Sequence, residues 1–146
     1  MATIASLTSA DRADWVGLWQ GYLAFYESEL ADEVTADVFT RLVEQRGLHG
    51  AIARDDSGRA VGLVHWLFHP ATWSTGEYCY LEDLFVSPDA RGGGIGGALI
   101  DHVTAEARNA GAAKVYWLTQ RTNVTARALY DRVATDTGFV HYARTL

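Results

Sequence analysis

The sequence predicts an α+β fold, in which helices cover a mixed sheet, and three observations support this prediction. Apolar residues recur at helical spacing in the first third of the chain, follow the pattern of strands through the middle, and then return in strand, helix, strand order. The chain has 146 residues, of which 49% are hydrophobic and 21% charged, enough to bury a core in one domain. We therefore expect a single domain over residues 1–146 with a sheet of five to seven strands.

Two helices are predicted before the first strand. Ser9 can cap a helix from about Ala10 to Ser28, with apolar and aromatic residues at helical spacing. These residues are Trp15, Leu18, Trp19, Tyr22, Leu23 and Tyr26. Thr35 can cap a second helix, "ADVFTRLVEQRG", and Gly47 is expected to end it.

The middle of the chain has the pattern of strands. The segments "LHGAIARD" and "RAVGLVHWLF" flank the turn sequence "DDSGR", which predicts a hairpin, and "YCYLEDLFV" predicts the next strand. The segment "IGGALIDHVTAEARNAG" has apolar residues four apart and predicts a helix. A strand "AKVYWLT", a helix "NVTARALYDRVATDTG" and a last strand "FVHYARTL" complete the predicted order.

Composition limits the kind of partner. The net charge of −6, with one lysine, Lys114, argues against nucleic-acid binding and favours a cationic partner. No run approaches the roughly 20 apolar residues of a membrane span, so we expect no membrane partner. A single cysteine, Cys79, and an N-terminus without the layout of a signal peptide favour the cytoplasm.

Five of the six residues from 92 to 97 are glycine, where the third helix is expected to start. They are Gly92, Gly93, Gly94, Gly96 and Gly97. Close packing would account for one or two of them. The spacing also matches the G-x-G-x-x-G dinucleotide fingerprint, but it lies past the middle of the chain, and the next strand ends without the acidic residue that binds ribose. A P-loop would require G-K-[ST], which the chain lacks. We favour an anion-binding loop, in which backbone N–H groups and Arg91 hold a pyrophosphate at the helix start.

At these residues the sequence resembles the GNAT superfamily of N-acetyltransferases. The segment from Arg91 to Gly96 fits the R/Q-x-x-G-x-G/A signature, and "YLEDLFVSPDARGGGIGGALI", "VYWLT" and "NVTARALY" are similar to the histone/polyamine branch, which includes the spermidine/spermine acetyltransferases. The resemblance covers about Tyr78 to Tyr142. It implies the GNAT fold: a mostly antiparallel twisted sheet of about six or seven strands, about four helices, and a splayed parallel strand pair at the cofactor site.

The resemblance implies acetyl-CoA as cosubstrate, with direct transfer of the acetyl group to a primary amine. The residues carried over as coenzyme A contacts are Leu84, Phe85, Val86, Arg91, Gly92, Gly93, Gly94, Ile95, Gly96, Gly97, Asn123 and Tyr130. The Val86 N–H is expected to donate to the thioester oxygen, and Tyr130 to protonate the leaving sulfur. From spacing alone, Tyr130 would be a core residue, and Asn123 a helix cap.

By resemblance to the polyamine acetyltransferases, Glu82 is the predicted base that takes the proton of the amine, directly or through water. Strand alternation predicts that Glu82 and Asp83 point to opposite faces, so that Asp83 either binds substrate or anchors a turn. The other predicted substrate residues are Tyr22, Tyr26 and Trp73. Further candidates for the acceptor pocket are His65, Trp66 and His69. We expect no metal, since His65 and His69 would stand about 13 Å apart on a strand.

These motifs do not identify the acceptor amine. An acidic run, Glu27, Glu29, Asp32, Glu33 and Asp37, would attract a polyamine or a lysine-rich peptide, but such runs are more often simply solvated. The resemblance also implies a homodimer, formed through the C-terminal strand. Two alternative functions are a coenzyme A sensor without catalysis and a nicotinamide-dinucleotide enzyme.

Overall fold

The protein, described by a computed structural model over all residues from Met1 to Leu146, divides into two compact units, Met1–Tyr116 and Trp117–Leu146. The first unit contains five strands and three helices. In chain order they are β1 (Thr3–Ser6), α1 (Arg12–Phe25), α2 (Asp32–Glu44), β2 (His49–Arg54), β3 (Ala60–His69), β4 (Tyr78–Val86), α3 (Ile95–Asn109) and β5 (Lys114–Tyr116). The second unit contains α4 (Val124–Val133). The predicted α+β class, with four helices and a mostly antiparallel sheet, is confirmed.

The sheet has the strand order β1-β2-β3-β4-β5, and only the β4–β5 pair is parallel. This pair is short, since only Tyr78–Tyr80 of β4 align with β5. β4 continues for six further residues, to Val86, with β3 as its one strand neighbour. The second half of β4 therefore presents one backbone edge that no strand pairs, as expected for a splayed strand pair.

Both N-terminal helix starts differ from the prediction. A 3₁₀ turn, Ser9–Asp11, leads into α1, and Asp11 accepts a hydrogen bond from the Thr8 N–H at 2.8 Å. α2 begins at Asp32, and Thr35 is buried inside it. The predicted cap at Thr35 is wrong because Asp32 and Glu33 already form the first turn, where acidic side chains stabilise the positive end of a helix.

The main core lies between α1, α2 and the sheet. Trp15 and Leu63 are completely buried there, and Phe85 joins them from β4. Gly21 makes the approach of α1 to β4 possible, because a Cβ at this position would lie 2.9 Å from the Phe85 ring. This close contact brings the next residue of α1, Tyr22, to the edge of the Phe85 ring, with centroids 6.4 Å apart.

The strands differ from the prediction at both ends of the chain. β1 was not predicted, because the four residues "TIAS" are too few for a clear pattern. The last predicted strand, "FVHYARTL", is not formed: residues 139–146 lie outside any helix or strand and are all exposed. A strand needs backbone partners as well as β propensity, so the sheet has five strands, within the five to seven predicted from the sequence pattern and fewer than the six or seven that the resemblance implies.

Candidate active site

The glycine loop has a backbone that requires glycine and open space around it. Gly92 and Gly94 have φ angles of +86° and +80°, in the left-handed region that disfavours residues with a Cβ. A Cβ at either position would meet no atom within 4 Å, and one at Gly93 would meet only the Ala90 oxygen, at 3.6 Å. Close packing therefore does not explain these three glycines.

The N–H groups of the loop are available to a ligand. None of the six N–H groups from Gly92 to Gly97 donates a hydrogen bond to a protein acceptor. The first backbone hydrogen bond of this helix is donated by the Ala98 N–H to the Gly94 oxygen. Ile95 and Gly96 belong to the first turn of α3, whose positive end attracts anions. The loop thus has the donors, the charge and the room that a pyrophosphate requires.

Arg91 stands at the start of this loop. Its Nε donates to the Val86 carbonyl at 3.1 Å, and its guanidinium lies 5.8 Å from the Phe25 ring centroid and 6.0 Å from that of Phe85. It forms no ion pair, so its remaining N–H groups can meet an anion.

The end of β4 presents backbone on its unpaired edge. The Ser87 N–H donates to the Val61 oxygen on the β3 side at 2.8 Å. Because backbone groups alternate along a strand, the Val86 N–H points the other way, and so does that of Leu84. Phe85, between these two residues, points its backbone groups toward β3, where it pairs with Leu63, and turns its ring into the core.

Glu82 and Asp83 do not follow the predicted alternation. β4 contains a β-bulge: His65 pairs with Asp83 and Trp66 with Leu81, which leaves Glu82 as the extra residue. The prediction of opposite faces is therefore wrong, because a bulge interrupts the period of two on which it depends. Both carboxylates face α1, and their negative charges both raise the pKa of Tyr22.

The two carboxylates differ in their surroundings. Asp83 is mostly buried and accepts from the ring of His65, with 3.0 Å between Nδ1 and Oδ2. Glu82 is exposed and has no hydrogen-bond partner in the protein. Partial loss of hydration, followed by repulsion from Asp83, raises the pKa of Glu82, while the positive charge of Arg41 opposes the shift.

Aromatic rings from α1 stand beside this acidic pair. Tyr22 stacks on Trp19, with centroids 5.1 Å apart, and Tyr26 lies 5.0 Å from Tyr22. Burial, the charge of Asp83 and a hydrogen bond to Asp83 raise the pKa of Tyr22. Burial and the charge of Asp83 also raise that of Tyr26. Two of the predicted substrate residues therefore lie near Asp83, and the charge of Glu82 also acts on Tyr22.

Trp73 does not join this group. It lies between β3 and β4, is 90% exposed and makes no ring contact. Trp66 is buried, with its ring against His102 of α3, 5.8 Å away. His65 and His69 have separate partners, since His69 contacts the Tyr116 hydroxyl at 2.7 Å through Nε2. The acidic run is exposed, and within it Asp37 pairs with Arg41.

Two tyrosines of the site were not predicted. Tyr80 stacks on Tyr116 of β5, with centroids 5.0 Å apart. Burial first, and then the charges of Glu82 and Asp83, raise the pKa of Tyr80, so its hydroxyl belongs to the same acidic surroundings. The alternation of Tyr78, Tyr80 and Glu82 in "YCYLEDL" contained this signal.

Tyr130 and Asn123 belong to the second unit. Asn123 caps α4, accepting from the Ala126 N–H at 3.5 Å, as its position predicted. The Tyr130 ring contacts Trp117, with centroids 5.5 Å apart, and its side chain is half-buried rather than in a core.

A comparison with known families matches residues 12–134 to the acetyltransferase (GNAT) family. The match covers most of the chain, including the glycine loop and Tyr130. The chain belongs to this family. It is therefore a GNAT N-acetyltransferase, and the predicted superfamily is confirmed.

Curated relatives of this GNAT protein are named as N-acetyltransferases. The D-amino-acid N-acetyltransferase HPA3 of Saccharomyces cerevisiae is 35% identical over 97% of this chain and 89% of its own. The thialysine N-epsilon-acetyltransferase of Caenorhabditis elegans is 31% identical over 68% of this chain and 61% of its own. Each supports the family assignment, and each name describes the relative's own substrate.

Solved structures have the same fold. The aminoglycoside acetyltransferase AAC(6')-Iy, solved with a bisubstrate analogue of coenzyme A, has a TM-score of 0.87 at 19% identity, with 100% of this chain and 99% of that one covered. The ribosomal-protein-alanine N-acetyltransferase of Brucella melitensis has a TM-score of 0.80 at 24% identity over the whole of both chains. No helix of this GNAT protein has the length and apolar character needed to span a membrane.

Proposed function

We propose that this protein is an acetyl-CoA-dependent N-acetyltransferase that moves the acetyl group directly to the primary amine of a small molecule. The observation that carries the proposal is a run of six unpaired backbone N–H groups at a helix start, Gly92 to Gly97. The bulge that turns Glu82 and Asp83 toward α1 supplies the second half of the site, where an amine can lose its proton.

Coenzyme A fits the donors of the loop. We assign its pyrophosphate to the N–H groups from Gly92 to Gly97 and to Arg91, and its pantetheine arm to the unpaired backbone edge of Leu84 and Val86. By resemblance, Phe85 and Asn123 are further contacts of coenzyme A. When bound, acetyl-CoA supplies the activated acetyl group. Negative charge then develops on the acetyl oxygen. The Val86 N–H points away from β3 and can stabilise this charge by donating a hydrogen bond to the oxygen.

Two side chains handle the protons. Glu82 is the base, because its carboxylate has no partner in the protein and its raised pKa brings it closer to that of an amine. Glu82 takes the proton directly or through one water. By resemblance, the Tyr130 hydroxyl returns a proton to the sulfur that leaves.

The acceptor is a cationic or zwitterionic small amine. The relatives are named for D-amino acids and thialysine, and a structural neighbour binds an aminoglycoside analogue, so a primary amine is the feature that these ligands share. Asp83 and the faces of Tyr22 and Tyr26 offer an ammonium group both ionic and cation–π attraction. Membership of the spermidine/spermine-like branch, and with it polyamines or lysine side chains as acceptors, stays a prediction.

A turnover screen tests this function. Release of coenzyme A is measured with acetyl-CoA and a panel of D- and L-amino acids, thialysine, spermidine, lysine peptides and aminoglycosides. We expect one class of amine to be turned over at least tenfold faster than the others. Binding of coenzyme A without any turnover would favour a sensor module, and protection by NAD alone would favour a nicotinamide enzyme.

We further propose one domain over residues 1–146, a cytoplasmic location where acetyl-CoA is available, and a homodimer. The family match across residues 12–134 supports the single domain. For the dimer, the exposed Phe139, Val140 and Tyr142 near the C-terminus offer an apolar segment to a second copy. Light scattering of the chain with and without residues 139–146 tests it: a dimer that becomes a monomer on truncation supports the proposal, and a full-length monomer overturns it.

A further inference from the structure

Three buried groups form a hydrogen-bonded chain behind the acidic pair. The Trp15 indole Nε1 donates to Nε2 of His65 at 2.9 Å, and Nδ1 of His65 lies 3.0 Å from Oδ2 of Asp83. Trp15 is completely buried, and His65 is 3% exposed. The chain starts in α1, crosses β3 and ends on β4 beside the bulge.

The direction of these hydrogen bonds follows from the chemistry of the groups. An indole N–H only donates, so Nε2 of His65 must be the acceptor and carries no hydrogen. A neutral imidazole has one donor and one acceptor nitrogen, so Nδ1 carries the hydrogen and donates to Asp83. A proton added at Nε2 would place two donors face to face.

The indole therefore blocks the nitrogen that a histidine base would use. What His65 contributes is a buried donor aimed at one oxygen of Asp83. That hydrogen bond fixes the carboxylate against β3, while the Tyr22 hydroxyl interacts with it from α1. Glu82, one residue earlier, has no such support and extends from the bulge.

We propose that His65, oriented by Trp15, is a positioning residue that holds Asp83 as the fixed ammonium-binding carboxylate of the acceptor site and leaves Glu82 to take the proton. An ammonium group has three donors, and Asp83 has one oxygen that His65 does not hold. This inference rests on the proposed amine acetyltransferase function. It divides two adjacent carboxylates into one that binds and one that reacts.

Two substitutions of nearly equal size separate positioning from packing. His65→Asn keeps an amide donor near the place of Nδ1, whereas His65→Gln extends its amide toward Trp15 and loses the donor to Asp83. With the amine found in the screen, we expect His65→Gln to raise the KM of the amine about tenfold, with kcat and the KM of acetyl-CoA changed less than threefold. His65→Asn should stay within about threefold of the wild type in all three constants.

Equal effects of the two substitutions on the KM of the amine, or a fall in kcat without a change in that KM, would overturn the proposal. A second measurement uses the wild-type protein, so it depends neither on catalytic turnover nor on the folding of a variant. In ¹⁵N NMR of the intact protein at pH 7.5, His65 should carry its hydrogen on Nδ1, with Nε2 unprotonated. Hydrogen on Nε2 would overturn the proposed role of His65 even in an active enzyme. Hydrogen on Nδ1 in a protein that shows no turnover would count against the proposed function alone.

Discussion

Arg91 ties the start of the glycine loop to the end of β4 by donating from Nε to the Val86 carbonyl at 3.1 Å. This bond joins the two places where we assign coenzyme A: the N–H groups of the loop and the unpaired backbone edge of β4. The Val86 carbonyl and N–H point to the same side of the strand. Arg91 therefore holds the glycine loop on the side of β4 to which the Val86 N–H, the proposed oxyanion donor, points.

Gly94→Ala should weaken coenzyme A binding. A Cβ at φ +80° strains the backbone by about 1 kcal/mol, and the shift that relieves this strain would disturb the loop N–H groups proposed to bind the pyrophosphate. Gly111→Ala is the matched control, because Gly111 follows the other end of α3 with φ +76° and open space. We expect similar losses of thermal stability in both variants, but a Kd for coenzyme A raised tenfold or more by calorimetry only in Gly94→Ala. Equal affinities would remove the loop from the cofactor site.

Glu82→Gln should lower kcat by about 10²- to 10⁴-fold, the usual contribution of a general base. In the wild type, kcat/KM should rise with pH as Glu82 loses its proton, with a midpoint above the ordinary glutamate value because its pKa is raised. That acidic limb should be absent from the residual activity of the variant. Glu29→Gln, an exposed acidic residue of the same charge, should change neither quantity. A wild-type profile retained in Glu82→Gln would assign the base to another group.

The same substitution should stabilise the fold at neutral pH. The folded pKa of Glu82 lies above its unfolded value, so the folded state favours the protonated form. Its stabilising contribution is therefore present below the unfolded pKa and lost as pH rises through the folded pKa. Glu82→Gln should unfold at a higher temperature than the wild type at pH 7, and this difference should shrink below the unfolded pKa. A difference that grows on acidification would contradict the assigned direction of the shift.

Cys79→Ala should retain acetyl transfer. Burial raises the pKa of the Cys79 thiol to about 11, and the residue is completely inaccessible to solvent, so it is a poor nucleophile at neutral pH. We expect kcat within about threefold of the wild type, and no acetylated protein by mass spectrometry after incubation with acetyl-CoA alone. An acetyl adduct that disappears in Cys79→Ala would replace direct transfer by a covalent carrier.

Tyr130→Phe should lower kcat by more than it raises the KM of acetyl-CoA, because the phenol proton is needed only when the sulfur leaves. Tyr142→Phe is the control, since this phenol is exposed in the same unit. Steady-state kinetics with both substrates varied measures the two constants. An unchanged kcat would exclude Tyr130 as the acid.

The sequence by itself determined the family, the strand–loop–helix order around the glycines and most elements of the fold. These features depend on local patterns: the five glycines, the hairpin turn, the bounds of β4 and the Asn123 cap each lie within a few residues. The prediction of a C-terminal strand was wrong because strand pairing depends on the backbone edge of a distant strand, which no local sequence pattern describes.

Only the tertiary structure decided how Glu82 and Asp83 are oriented and which of them is held by a partner. Alternation in "YLEDLF" predicts opposite faces for Glu82 and Asp83, but the register against β3 inserts a bulge and turns both toward α1. Trp15 and His65 are fifty residues apart, and each has the ordinary pattern of a core position. The bond between Trp15 and His65 joins α1 to the sheet, and Gly21 permits the close approach of α1, because a Cβ there would lie 2.9 Å from the Phe85 ring of β4.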